Sequence, residues 1–157
     1  MKIQGIRLST PDAPGYPDVV RILNSDTADM EVWKSTRFGT NPNPTKVKTT
    51  LRWQACYAQI VAQTYTWTAI TTDAKPYLHL RLSFDGSEEI PTTNMNFNLD
   101  GLFYAVDVNI EKGWSTTWRG SAACQEVYPD EYEAFISHFK KGDTGIYELI
   151  DQTGLVS

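Results

Sequence analysis

The sequence predicts one β-rich domain of the α+β class: an antiparallel sheet or β-sandwich of six to eight strands with one or two helices packed against it. Short stretches of alternating apolar and polar side chains indicate strands with one buried face. Turn-forming Gly, Pro and Asp residues separate these stretches. A well-marked helical pattern lies near the C-terminus. Because 157 residues is a usual size for one domain, we assign residues 1–157 to a single domain.

The clearest strand pattern is Thr-Tyr-Thr-Trp-Thr-Ala-Ile over residues 64–70, where β-branched and aromatic residues alternate with small or polar ones. Residues 77–84 place three leucines on one face of a second strand and polar side chains on the other. Further strands are predicted over 2–9, 30–38 and 146–150, and residues 18–24 fit either a short strand or a single helical turn.

Residues 46–72 fit two different structures. Apolar residues at helical spacing and a run of good helix formers favour a helix over 47–62. The same residues also alternate as a strand would, so a second interpretation makes 47–70 all strand. Since an unbroken strand of over about twenty residues is abnormal, we predict a helix over 47–62 followed by the strand at 64–70.

Residues 93–118 are predicted to form a three-stranded antiparallel meander. Asp100 and Gly101 suit a tight hairpin turn, because both tolerate the positive φ that such a turn requires. Lys112 and Gly113 suit a second turn. The three strands are expected over 94–99, 102–110 and 114–118.

A helix predicted over 129–141 carries signals at both of its ends. Pro129 suits the first turn, and the acidic residues that follow it complement the positive end of the helix dipole. Aromatic and aliphatic residues at helical spacing supply one apolar face. Gly142 provides a left-handed stop.

The composition excludes several classes of function. Fourteen Lys and Arg against 19 Asp and Glu give a net charge of −5, which argues against direct nucleic-acid binding. The sequence has no apolar run long enough for a bilayer and no signal-peptide core, so we expect cytoplasmic synthesis without secretion or membrane contact. It also carries no nucleophile, phosphate-loop or metal-ligand motif, so we expect no metal and no cofactor.

Cys56 and Cys124 form no CxxC pair, and we predict free thiols, with a disulfide as the alternative.

Charge is distributed unevenly along the chain. Basic residues, among them Lys46, Lys48 and Arg52, occupy a stretch without acids, and acidic residues, among them Glu88 and Glu89, occupy a later stretch without bases. The two sets can cancel within one folded subunit. Alternatively, they lie at opposite ends and pair between neighbouring subunits, which makes these five residues interface candidates.

His79, Arg81 and Asp107 are the candidates for acid–base chemistry. His79 and Arg81 share one face of the strand predicted at 77–84. If that strand pairs with the meander, Asp107 adjoins this face, and the three side chains could line a pocket with His79 as general base. The simpler interpretation is a solvated sheet face, and we expect the three side chains not to converge.

Trp114 and Trp118 are the candidates for ligand stacking. On a strand, residues four apart project from the same face, with Thr116 between them and Arg119 beside them. An exposed pair of this kind can stack sugar rings or nucleobases. A buried pair would instead belong to the core or to a subunit interface.

These observations give three hypotheses of function. The first is a non-enzymatic structural subunit of a homo-oligomer, since the architecture resembles the small β-rich subunits of phage tails and connectors at the level of fold and composition. Such a protein would bind copies of itself and other assembly proteins in a virion. The second is a binding module for carbohydrate or nucleotide-like molecules at Trp114 and Trp118. The third is a small acid–base enzyme with a cone-shaped sheet, as in hydratases and cyclases.

Overall fold

The computed structural model describes residues 1–27, 30–43, 58–93, 98 and 100–154. In these residues the chain forms ten strands, which we number in chain order. They are β1 (Lys2–Arg7), β2 (Asp18–Leu23), β3 (Glu31–Gly39), β4 (Thr64–Ile70), β5 (His79–Ser83), β6 (Ile90–Pro91), β7 (Tyr104–Ala105), β8 (Asn109–Lys112), β9 (Gln125–Val127) and β10 (Thr144–Asp151). A 3₁₀ turn (Pro129–Glu131) and one α-helix, α1 (Tyr132–Ile136), lie between β9 and β10.

Eight of these strands close into a barrel in the order β1-β10-β4-β5-β8-β9-β3-β2. The remaining two, β6 and β7, pair with each other as a separate antiparallel ribbon. Within the barrel, β1 runs parallel to β10 and β8 runs parallel to β9, while the other neighbours are antiparallel. The predicted β-rich class is therefore confirmed, but the sheet is a closed mixed barrel and not an open antiparallel sheet or a sandwich.

The strands predicted from alternation are confirmed where one face of the strand is buried. Strand β4 covers the predicted residues 64–70, and the ambiguous segment 18–24 is strand β2. On β2, Val20 and Ile22 are fully buried and alternate with the half-buried Val19 and Arg21. The strands predicted over 2–9, 30–38, 77–84 and 146–150 correspond to β1, β3, β5 and β10.

Large aromatic side chains fill the barrel interior. Tyr147 on β10 stands beside Ile3 on β1 and Tyr65 on β4, and the two tyrosine rings stack with their centroids 6.4 Å apart. Trp67 is also buried, at 1 % exposure. Each fully buried side chain of this size contributes about 1.5–3 kcal/mol.

The interior packs so closely at Gly5 that the strand has no room for a side chain there. A Cβ on Gly5 would fall on the hydroxyl of Tyr147 and 3.1 Å from a ring carbon of Phe38. Both rings are fully buried, and the Tyr147 hydroxyl also donates to Gln125 Oε1 at 2.9 Å. Glycine is therefore required at this position by packing.

A buried polar network lies near the ends of strands β1 and β3. The Asp18 carboxylate accepts the Leu8 and Thr40 backbone N–H groups at 2.8 and 2.9 Å, and the Thr40 hydroxyl at 2.7 Å. Arg7 Nε donates to the same hydroxyl at 3.0 Å, and Arg7 Nη2 donates to the Ile60 carbonyl at 3.0 Å. Buried charges are tolerated because these bonds satisfy them.

The helix near the C-terminus is shorter than the predicted span of 129–141, because α1 ends at Ile136. The Asp143 carboxylate accepts the Lys140 N–H at 2.9 Å, and the Asp143 N–H bonds the Lys140 carbonyl at 3.0 Å. This local turn competes with further helix. Gly142 does adopt the expected positive φ, of 95°, on the way into β10.

The predicted meander is largely wrong. Its first strand, 94–99, falls outside the described residues except at Asn98. The turn that follows is confirmed, since Gly101 has φ 81° and Asn98 N–H bonds the Leu102 carbonyl. The second strand is interrupted at Asp107, whose φ of 55° redirects the chain, so that only β7 and β8 remain of it. Residues 114–118 form bends and not a strand.

Most of the helix predicted over 47–62 lies in 44–57, outside the described residues. Its last part is not helical. Ala58 N–H bonds the Ala122 carbonyl, Ile60 forms an isolated antiparallel bridge with Thr92, and Val61 N–H bonds the Pro91 carbonyl. Because these backbone groups form hydrogen bonds with residues distant in the sequence, they do not form the hydrogen bonds of a helix.

The packing at Gly5 gives a test of the barrel core. Gly5→Ala should lower the free energy of unfolding by about 1–3 kcal/mol, because overpacking forces buried side chains to move. Gly154→Ala is the matched control, since a Cβ there meets nothing within 4 Å. Urea denaturation of both variants measures the difference, and equal stabilities would contradict this account of the interior.

Candidate functional site

His79, Arg81 and Asp107 come together on the outer surface of the barrel. With Lys75, Asn109 and two smaller residues they line a pocket of about 410 Å³. Arg81 Nη1 lies 3.2 Å from Asp107 Oδ1. The expectation that these three side chains do not converge is therefore wrong.

Pairing of β5 with β8 positions the pocket. Leu80 on β5 stands opposite Ile110 on β8, and both are buried in the barrel core. The neighbouring residues His79, Arg81 and Asn109 therefore lie on the outer side of the sheet, where His79 and Asn109 are covered and Arg81 is partly exposed. Strand pairing sets Arg81 opposite Asn109, and Arg81 Nε donates to Asn109 Oδ1 at 2.7 Å. The sheet register thus places the polar groups side by side.

Lys75 enters the pocket from the turn between β4 and β5. Its backbone exchanges two hydrogen bonds with Thr72, at 3.0 and 3.1 Å, which fixes the turn. The Lys75 ammonium pairs with Glu111 on β8, whose carboxylate is buried. Asn109 Nδ2 donates to the same carboxylate oxygen at 3.3 Å. A chain of polar contacts therefore runs from Asp107 through Arg81 and Asn109 to Glu111 and Lys75.

The hydrogen bond at Nδ1 determines the protonation state of His79. Nδ1 lies 2.9 Å from the Tyr77 carbonyl, which only accepts, so Nδ1 carries the proton. Burial lowers the pKa of His79, which keeps the ring neutral. Nε2 then bears a lone pair, and it is buried without a hydrogen-bond partner among the described residues.

Glu126 stands next to Glu111 on the adjacent parallel strand β9. Both carboxyl groups are buried. Burial, together with the charge of Glu111, raises the pKa of Glu126 to about 8. Glu126 Oε2 accepts the Gly120 N–H at 3.3 Å, while Oε1 has no partner in the described part of the chain. Glu126 is therefore protonated at neutral pH.

Trp114 and Trp118 lie on an exposed loop. Their ring centroids are 6.3 Å apart, and Thr116 between them is exposed. Arg119 does not join them, because its guanidinium is buried and donates to four backbone carbonyls. Arg119 is therefore not among the side chains available to a ligand at Trp114 and Trp118, and its role is structural.

Several charged residues of the described chain form ion pairs within the subunit. Arg37 Nη2 lies 2.6 Å from Glu131, and Glu88 lies 3.3 Å from Arg81. Glu89 is exposed. The interface candidates Lys46, Lys48 and Arg52 lie outside the described residues, as does Cys56, while Cys124 carries a free thiol.

Sequence reasoning missed Lys75, Asn109, Glu111 and Glu126 as members of this site. Lys75 lies in a segment whose sequence indicates a turn and nothing about a binding site. Glu111 and Glu126 meet through a parallel strand pair, which leaves no signal in local periodicity. Asn109 falls within the strand predicted over 102–110, but alternation alone does not indicate its partner.

The pocket combines an unprotonated imidazole nitrogen with two cationic side chains. Such a group accepts a proton or a hydrogen bond. Lys75 is paired with the buried Glu111 and Arg81 with the exposed Asp107, so a negatively charged molecule would bind here by replacing Asp107 at Arg81. The described residues include no group of three or more His, Cys, Asp or Glu side chains arranged to hold a metal ion.

Comparisons with protein families, with curated proteins and with solved structures find no match to this chain. Among the described residues, no helix has both the length and the apolar character needed to cross a bilayer. The residues of the site are therefore the only guide to function.

The buried Glu126 carboxyl predicts a pH dependence of stability. Between the ordinary value of 4.5 and about 8 the folded state holds a proton that the unfolded state releases, so stability falls as pH rises through this window. The slope is at most about 1.4 kcal/mol per pH unit. Glu126→Gln, which is neutral throughout, should abolish this decline in urea denaturation between pH 5 and about 9.

The neutral His79 ring has the opposite effect on the pH dependence of stability. Because burial lowers its pKa in the folded state, the unfolded state takes up the proton first, and stability falls as pH drops below 6.5. Comparing Glu126→Gln with the wild type cancels this contribution. Glu88→Gln is the control, because Glu88 is exposed at the surface. Identical pH profiles for wild type and Glu126→Gln would contradict the assignment.

Proposed function

We propose that the protein binds a small hydroxycarboxylic acid in the pocket lined by Lys75, His79, Arg81, Asp107 and Asn109. The observation that carries this proposal is the buried His79 Nε2, which has no hydrogen-bond partner in the described part of the chain, at a pocket that also holds the Arg81 guanidinium. A buried acceptor without a partner is costly, by about 1–3 kcal/mol, unless a bound molecule satisfies it.

The cations select for a carboxylate. Arg81 is held by Asn109, and its pairs with Glu88 and Asp107 involve carboxylates that are 63 % and 74 % exposed. Exposed ion pairs are weak, about 0–1 kcal/mol, so a bound carboxylate can replace them. A guanidinium binds a carboxylate with two parallel hydrogen bonds.

Nε2 of His79 selects for a hydroxyl group. A neutral imidazole nitrogen with a lone pair accepts a hydrogen bond and repels a second acceptor. A volume of about 410 Å³ is within the range of small-molecule sites. Because Nε2 is covered, the pocket wall must move far enough for a bound hydroxyl to reach the nitrogen.

Matched pairs of acids test this site. Lactate, malate and citrate should bind more tightly than propionate, succinate and tricarballylate, which lack the hydroxyl, because a site built for a hydroxyl discriminates against its absence. Isothermal titration calorimetry measures both affinities. His79→Phe should bring malate and succinate to similar affinities, and Arg81→Gln should weaken both by about tenfold or more.

Arg37→Gln serves as the control, because Arg37 is an arginine paired with Glu131 and does not line the pocket. It should bind the acids as the wild type does. If none of the hydroxy acids binds at millimolar concentration, the proposal is wrong. If binding survives Arg81→Gln unchanged, the acids bind elsewhere.

A second candidate function, a structural subunit of a homo-oligomer of the phage tail or connector type, is favoured by a separate observation. Leu102, Phe103 and Val106, which flank or adjoin the β6–β7 ribbon, are 60 %, 43 % and 56 % exposed. These three apolar side chains lie within five positions of the sequence, and exposed apolar groups that form a patch indicate a contact surface. Since barrel closure leaves few unpaired strand edges, side chains and not backbone would form the contact between copies.

Mass photometry and light scattering test this second candidate. The wild type should form a defined oligomer at tens of micromolar, and Leu102→Ser with Val106→Ser should shift it toward monomer, because polar side chains weaken an apolar contact. Val32→Ser, at an exposed site on β3, should leave the oligomer intact. A strictly monomeric wild type would exclude the assembly function.

A further inference from the structure

Two tryptophan rings project into solvent from the loop between β8 and β9. Trp114 is 74 % exposed and Trp118 is 46 % exposed. Their centroids lie 6.3 Å apart, with the ring planes inclined at 44°. Tryptophan is usually buried over most of its surface, so a pair of exposed and adjoining indoles is an unusual feature.

Hydrogen bonds from the side chains of Tyr16 and Arg119 anchor the loop that carries the two rings. The Tyr16 hydroxyl donates to the Ser115 carbonyl at 2.6 Å and lies 3.2 Å from the Trp118 carbonyl. The buried Arg119 guanidinium donates to carbonyls that include those of Gly15 and Asn41. The rings are therefore presented by an ordered backbone, which lowers the entropic cost of binding a ligand.

Trp114 is seated on Gly120. A Cβ on Gly120 would lie 2.5 Å from Cγ of the indole. The ring therefore rests against the backbone of the loop that follows it, while most of its surface stays open to solvent. This contact fixes the orientation of the exposed part of the ring, which is the part available for stacking.

The polar side chains between the two rings in the sequence are neutral hydroxyls. Ser115, Thr116 and Thr117 separate the two tryptophans, and residues 113–118 contain no ionisable side chain. Thr116 is exposed. A nucleotide would need a cation for its phosphate; Arg119 is buried and bonded to carbonyls, and the nearest exposed cation in the sequence is Lys112, outside the segment that carries the rings. Aromatic faces beside hydroxyls instead match a neutral sugar, which presents C–H groups on one side and hydroxyls at its edge.

We infer that Trp114 and Trp118 form a carbohydrate-binding platform on which a neutral pyranose ring stacks, with Thr116 as a hydrogen-bonding partner for its hydroxyls. The inclined rings contact the apolar side of the sugar from two directions. This site is separate from the pocket at Arg81 and does not depend on it.

Titration with cellohexaose, maltohexaose and chitohexaose tests the platform. At least one of these oligosaccharides should bind at millimolar or lower concentration by isothermal titration calorimetry and shift the tryptophan fluorescence. Trp114→Ala and Trp118→Ala should each weaken binding by about tenfold or more, because stacking on one ring is worth a factor of this size. Since both side chains are exposed, thermal unfolding should change little in either variant.

Two controls make the result specific. Met30→Ala removes a comparably exposed apolar side chain, 66 % exposed on another part of the surface, and should retain oligosaccharide binding. Arg81→Gln should also retain it, which separates this site from the acid-binding pocket. If no oligosaccharide binds the wild type, or if binding survives the loss of both tryptophans, the platform is wrong. A change of oligomeric mass in the double variant without any sugar binding also counts against it.

Discussion

The parallel pairing of β1 with β10 is the constraint on which the barrel depends. Six consecutive residue pairs, from Lys2 beside Ile146 to Arg7 beside Asp151, join the first strand to the last. We call this β1–β10 pairing the seam of the barrel. Without this seam both strands would become unpaired edges, and the core on their inner faces would be open to water. The seam in turn needs Gly5, because the Tyr147 ring occupies the space that a side chain at that position would take.

Closure decides where ligands can bind. Small eight-stranded barrels are filled by their own side chains, and here Tyr65, Trp67 and Tyr147 occupy the interior. The candidate binding residues therefore lie on the outward faces of β5 and β8 and on the connecting loops. The same strand register that buries Leu80 against Ile110 presents Arg81 beside Asn109. The inner side of this strand pair thus belongs to the core, and its outer side carries the polar site.

Local sequence pattern predicts those parts of the fold that local physics determines. Strand β4 is found at the predicted residues because each of its side chains meets one of two distinct environments, core or surface. The meander fails at Asp107, where a contact with Arg81 and a left-handed backbone override the alternation of the flanking residues. The three candidates His79, Arg81 and Asp107 could be proposed from strand faces, but Lys75 and Glu111 depend on how distant strands pair. That pairing is a property of the whole barrel.

The seam between β1 and β10 also sets how the molecule responds to a mechanical load. Since the two strands run parallel, the chain enters β1 at one end of the seam and leaves β10 at the other. A force that pulls these two points apart acts along the strands in opposite directions, across the line of the hydrogen bonds. The bonds of the seam then carry the load together in shear, whereas an antiparallel pair pulled from adjacent ends would open one bond at a time.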